Sequence, residues 1–252
     1  MPLCQETAPS VRKWNFGAFM RFYPPILGYH RIGAYRGDHV PTVSTGAFER
    51  QLTFLSRYRY RVCSLDEIIQ TIDTFGDISS RSVALTFDDG YEEIYHNAWP
   101  LLKRFGFSAT LFVTPGEVGL PGFATWQQIQ QMADQGMSIG NHTMHHSYLP
   151  LIQEEQLHEE LIDSKLLIEQ QIGRTVQFLS YPVGGFSAQI KNRVRDAGYQ
   201  AAFTTNRAFC GKMLDRFAVR RVKITERDRF PALFWVKLSG YYDFFRRLKA
   251  PS

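Results

Sequence analysis

Short apolar runs separated by amphipathic stretches restrict this chain more than any other feature. Runs rich in β-branched and aromatic residues recur at 26–29, 83–87, 109–113, 137–139, 176–181, 200–204 and 218–224. Each is too short for an ordinary helix and long enough for a buried strand. Between most of them lie helical patterns with recognisable ends. Ser64-Leu65-Asp66-Glu67 is a capping box that opens a helix through about Asp73, and Thr125-Trp126-Gln127-Gln128 opens another that stops at Gly136. Residues 154–172 carry Leu157, Leu161, Ile168 and Ile172 on one stripe with Gly173 as the stop, and Ser187 caps a further helix ending near Gly198. Strands alternating with helices specify an α/β fold around a mainly parallel sheet, open or closed into a barrel, and exclude a β-sandwich.

One barrel of about 250 residues consumes a chain of this size, 252 residues with 44% hydrophobic, so a single domain is expected. Its body is residues 26–229, preceded by an extension, 1–25, and followed by a tail, 230–252. The net charge of +5 favours anionic surroundings but does not choose among nucleic acid, lipid and substrate, and no nucleic-acid motif accompanies it. Cys4, Cys63 and Cys210 are odd in number and form no CxxC pair, which argues against a zinc ribbon or a disulfide framework and for a reducing compartment. No apolar run reaches signal-peptide length or the ~20 residues of a membrane span, so a cytoplasmic location is the expectation. The tail is dense in aromatics and carries Arg246, Arg247 and Lys249. It reads either as a terminal helix packed on the barrel or as an anchor at the inner membrane face, with Gly240 tipping the balance toward packing. Nothing in the sequence specifies an oligomeric state.

The chemistry begins where the run ending in Phe87 meets Asp88-Asp89-Gly90. A turn accounts for Asp89-Gly90 but leaves Asp88 without a purpose. Strand ends in α/β proteins display catalytic side chains, and adjacent carboxylates can divide the work of holding a metal and moving a proton. A second constellation follows residues 137–139: His142 and His146 are four apart, so on a helical turn both would face one metal ion while His145 points elsewhere. For a lone histidine pair the plainer reading is a polar loop with ordinary hydrogen bonds. Placement on the same rim as the aspartates shifts the balance, because one carboxylate with two histidines is a familiar catalytic metal set.

Thr86-Phe87-Asp88-Asp89-Gly90 matches the first motif of the polysaccharide deacetylase family, the metal-dependent carbohydrate esterases related to chitin and nodulation-factor deacetylases, and His142-Thr143-Met144-His145-His146 matches the second. The resemblance runs from Ile26-Leu27-Gly28-Tyr29-His30-Arg31-Ile32 to about Ile224. It implies a distorted (β/α) barrel and a hydrolase that removes an N-acyl group, acetyl foremost, from an amino sugar in a polysaccharide, an oligosaccharide, or a nucleotide-linked or lipid-linked precursor. It further implies a divalent metal, zinc foremost, on Asp89, His142 and His146, with Asp88 as the general base. A third motif, Arg-x-Pro-Tyr or a variant, is similar to Ser180-Tyr181-Pro182-Val183-Gly184. By that likeness the Val183 backbone N–H serves the oxyanion, with Tyr181 and Pro182 against the substrate.

The chain also departs from the family pattern. Ser180 stands where the family has an arginine that orients the catalytic aspartate, and Arg221 is the candidate substitute on the substrate side, a surface salt bridge being the alternative. There is no Asp-x-x-Asp-Trp fourth motif, and Val222-Lys223-Ile224-Thr225 replaces the Leu-x-His that would supply the acid. His30 either takes over proton donation or merely bonds a loop; alternatively Asp88 returns the proton it removed. A cytoplasmic location favours a nucleotide-linked or lipid-linked substrate. Two rivals stand beside this reading: a sugar-binding barrel without turnover, and a deacylase of a non-sugar amide.

Overall fold

The computed structural model describes residues 24–34, 37–74, 81–206 and 215–239. Among the described residues eleven short strands are all paired in parallel: β1 Ile26–Tyr29, β2 Arg31–Ile32, β3 Thr42–Val43, β4 Arg61–Val62, β5 Ser82–Phe87, β6 Thr110–Val113, β7 Ser138–Asn141, β8 Phe178–Ser180, β9 Ala201–Thr204, β10 Val219–Arg220 and β11 Val222–Lys223. The helices are α1 Thr45–Arg57, α2 Leu65–Thr74, α3 Trp99–Phe105, α4 Trp126–Asp134, α5 Glu154–His158, α6 Ser164–Ile172, α7 Ala188–Asp196 and α8 Pro231–Leu238.

The main sheet runs β10-β9-β8-β7-β6-β5-β1-β11. Its two ends are consecutive pieces of one segment, since β10 pairs with β9 and β11 pairs with β1. Residues 219–223 therefore close the sheet into a single (β/α) barrel. Arg221 is the hinge between the two pieces: its N–H donates to Thr204, and that of Ile224 already donates to Gly28 on the other side. The expected strand 218–224 is thus two half-strands that change partner at Arg221.

Every residue of β5 is buried, as a parallel strand covered on both faces requires. Ile26, Ala84, Phe112, Phe178, Phe203 and Val219 from the strands form one buried cluster with Leu65, Ile68 and Ile69 of α2. The Phe112 ring lies over Gly140, where a Cβ would sit 2.5 Å from the ring. The larger core joins the outer strand faces to the helices. The Ser64–Glu67 and Thr125–Gln128 capping boxes both form. Gly173 ends α6 in the left-handed conformation at φ 65°.

Two elements differ from expectation. The helix read over 154–172 is interrupted by a widened π turn, Glu159–Asp163, between α5 and α6. The first part of the tail is α8, which buries Phe234 and Leu238 while leaving Phe230, Leu233 and Trp235 about half exposed. Phe234 meets Phe54 of α1 edge to face at 5.7 Å, so this part of the tail packs on the barrel. The rest of the tail, the extension before residue 24, Cys4 and Cys210 lie outside the described residues. Among the described residues no helix is long and apolar enough to cross a membrane.

Candidate active site

Parallel closure aligns the C-terminal strand ends, and the loops that leave them form one rim. His30 follows β1, Asp88 and Asp89 follow β5, His142 follows β7, and residues 181–185 follow β8. Asp89, His142 and His146 bring one potential ligand atom each to within 4.8 Å of one another. The His142 Nδ1–H donates to the Ser180 carbonyl at 2.7 Å, which turns its Nε2 lone pair toward Asp89 Oδ1 at 3.3 Å. His146 Nε2 lies 3.4 Å from the same oxygen. That oxygen is buried and makes no hydrogen bond. Three lone-pair donors turned on one point, with the His142 tautomer fixed from behind, fit a divalent cation and do not fit an ordinary hydrogen-bonded loop.

The histidines meet by a different route from the helical turn expected. Residues 142–147 are a loop with left-handed backbone at Thr143 (φ 68°) and His146 (φ 56°), and Asp89 is left-handed too at φ 73°. Burial on its own lowers His142, but Asp88 and Asp89 outweigh it and the imidazole is raised. Protons therefore compete with a metal ion for this ligand. His146 is lowered, by burial and then by the neighbouring His142. His145 turns away, its Nδ1 3.1 Å from Glu160.

Asp88 is 2% exposed and is gripped by Arg221, whose Nη1 donates to Oδ1 at 2.7 Å and Nη2 to Oδ2 at 2.8 Å. The same guanidinium donates to Thr86 Oγ1 at 3.0 Å and Ser180 Oγ at 2.6 Å. Ser180 is small enough to let Arg221 reach Asp88 from the closing strand. The surface-bridge alternative is excluded, because Arg221 is 2% exposed. Both Nη groups of the guanidinium are engaged beneath Asp88, which places Arg221 behind the aspartate. Burial alone pushes the Asp88 carboxyl up; Arg221, then His142 and His30, override that and hold it well below the usual carboxylate range. His30 is lowered because burial outweighs Asp88 and Asp89, and its Nδ1 is buried without a hydrogen-bond partner.

The turn after β8 corrects a further expectation. The Tyr181 ring is buried, donates its hydroxyl to the Phe217 carbonyl at 2.9 Å and stacks on Phe186, so that side chain belongs to the scaffold. Pro182 is also buried. Val183 stands out at the rim, 73% exposed, with left-handed backbone at φ 57°. Gly185 carries the Tyr148 ring from the histidine loop, where a Cβ would collide at 2.0 Å. The two rim loops therefore interlock.

A rim of this kind defines a class, the barrel hydrolases that depend on a divalent metal. The sequence profile of the polysaccharide deacetylase family matches residues 76–202, just over half of the chain, and the chain belongs to that family of metal-dependent N-deacetylases. It is 30% identical over 201 residues to YxkH of Bacillus subtilis, covering 80% of this chain and 71% of that protein. It is 25% identical over 206 residues to the poly-beta-1,6-N-acetyl-D-glucosamine N-deacetylase of Staphylococcus aureus, covering 76% of this chain and 70% of that enzyme. In fold it resembles the Streptococcus pyogenes deacetylase PplD, solved in complex with acetate, with a TM-score of 0.79 at 24% identity over 85% of this chain and 97% of PplD.

Proposed function

We propose that this chain removes N-acetyl groups from amino-sugar residues of a polymer, with zinc held by Asp89, His142 and His146. The convergence of those three side chains beside the Arg221-bound Asp88 carries the reading. Among the substrate forms the sequence left open, the polymer is favoured by the likeness to the Staphylococcus aureus poly-beta-1,6-N-acetyl-D-glucosamine N-deacetylase. Intact ligand and base positions weigh against a sugar-binding barrel without turnover.

Asp89, His142 and His146 would hold a divalent ion, which would supply a lowered pKa of water, toward ~7, and a polarised amide carbonyl, as so weak a base as Asp88 requires. Asp88, fixed by two hydrogen bonds from Arg221, takes the proton as water attacks the carbonyl carbon. The Val183 backbone at the rim is the proposed donor to the oxyanion. As the C–N bond breaks, the amine needs a proton. His30 supplies it from the end of β1, where the unpartnered Nδ1 leaves the ring uncommitted to any loop.

Two experiments test these assignments. Elemental analysis of purified Asp89→Ala and His146→Ala is expected to find zinc largely lost from both; full zinc content in both would refute the site. For the acid, His30→Ala is expected to keep its metal and lose about 10²-fold in acetate release, the lower range of general acid catalysis. His158→Ala, remote on α5 with its side chain 65% exposed, is the control. A near-normal rate in His30→Ala transfers the proton return to Asp88.

A further inference from the structure

The π turn between α5 and α6 adds one residue to a helix that the sequence pattern reads as continuous. Such turns are rare and cluster at functional sites. Here the carbonyls it releases are met: Ser164 Oγ donates to Glu160 O at 2.6 Å and the Tyr199 hydroxyl to Leu161 O at 2.7 Å. Both hydroxyls accept from Asn141 Nδ2, each at 2.6 Å. Asn141 is the last residue of β7 and immediately precedes His142. The widened turn is thus tied to the root of the histidine loop.

The same turn buries the Glu160 side chain, 5% exposed, against that loop. Its Oε2 accepts from the His145 backbone N–H at 3.1 Å. Its Oε1 accepts from Ser147 Oγ at 2.7 Å and from His145 Nδ1 at 3.1 Å. Glu160 therefore holds the residue on each side of His146. Left-handed backbone at non-glycine positions such as Thr143 and His146 persists only where the surroundings over-determine it. His142 is oriented directly by the Ser180 carbonyl; His146 is oriented by neighbours that Glu160 grips.

We propose that Glu160 is a positioning residue that acts through His145 and Ser147 to hold His146 in its ligating pose, so that it sets metal affinity and leaves the chemical step alone. This rests on the metal-site reading above. The test is zinc titration of the metal-stripped full chain against a competing chromophoric chelator. Glu160→Ala is expected to weaken zinc affinity about 10–100-fold, as loss of a partner that orients a ligand does. Glu160→Gln keeps the side-chain volume and one carbonyl acceptor for the His145 backbone N–H, but turns an amide nitrogen toward Ser147 and the His145 ring, and is expected to recover only part of that loss. With zinc in excess, kcat of Glu160→Ala is expected within a few-fold of the parent, roughly the scatter of a neutral change. Unchanged affinity in Glu160→Ala, or kcat lost at saturating zinc, overturns the proposal. Asp89→Ala separates the two readings: if it loses zinc while Glu160→Ala does not, positioning fails alone, and if it keeps zinc the metal site itself falls. Should Glu160→Ala not fold, Ser147→Ala removes one of the three hydrogen bonds. It is expected to weaken zinc by up to about tenfold, the range of one hydrogen bond to a charged group; parental affinity there also overturns the proposal.

Discussion

Asp88→Asn is expected to keep its metal and lose about 10²–10⁴-fold in turnover, the usual contribution of a positioned general base. The substitution preserves shape but cannot take a proton. The ligand set of Asp89, His142 and His146 is untouched. One complication follows from the geometry. Both Asp88 oxygens accept from Arg221, so an amide nitrogen at either position faces a donor and leaves the buried guanidinium uncompensated. The variant therefore loses stability as well, and its rate has to be measured at a temperature where circular dichroism shows it folded. Acetate release from an N-acetylated amino-sugar oligomer, alongside metal content, makes the measurement. Turnover within tenfold of the parent, in folded and metal-loaded protein, sinks Asp88 as the base.

The parts of the site that lie close together in the chain were legible from residue types and strand-end placement, with the ligand and base roles implied by the family resemblance. Asp88 and Asp89 end a strand whose residues are all apolar or β-branched apart from its first serine, and the spacing of His142 and His146 limits what they can reach. The barrel was legible for a similar reason, because buried parallel strands need continuous apolar runs and their crossovers need amphipathic helices. What escaped depends on backbone events without a compositional signature. The left-handed residues of the histidine loop are Thr143 and His146, where glycine would have marked the turn. The π turn adds a residue inside an unbroken periodic pattern and buries Glu160 against the histidine loop, and nothing in the composition marks that shift. The Tyr181 ring was misassigned to substrate because a strand-end aromatic looks the same whether it faces the rim or the Phe217 carbonyl. Arg221 was singled out as a substitute for the family arginine, but its reach to Asp88 spans 133 residues and depends on a strand that changes partners.

That long-range pair supports the second large effect, an expected loss of about 3–5 kcal/mol in stability for Arg221→Met at pH 7, since removing one partner leaves the other as an uncompensated buried charge. The acid dependence follows from the direction of the Asp88 shift. In the parent its folded pKa lies below the unfolded value of about 3.9, so the pair's contribution is complete above that value and is lost only as pH falls through the folded pKa. Between pH 7 and pH 5 this pair gives the parent no change. In Arg221→Met, burial, the largest influence on Asp88, is opposed only by His142 and His30, so the Asp88 pKa is expected to rise from its parental position. The cost of the buried carboxylate is then relieved as acid protonates it. The stability gap to the parent should accordingly narrow from pH 7 to pH 5, and the acid limb of the variant's rate profile should move upward. Arg221→Lys, with one ammonium in place of a fork that also meets Thr86 and Ser180, is expected to fall between the two. Urea denaturation at both pH values checks the sign: a variant as stable as the parent at pH 7, or a gap that widens on acidification, contradicts the account of Arg221 as the counter-charge that keeps Asp88 ionised.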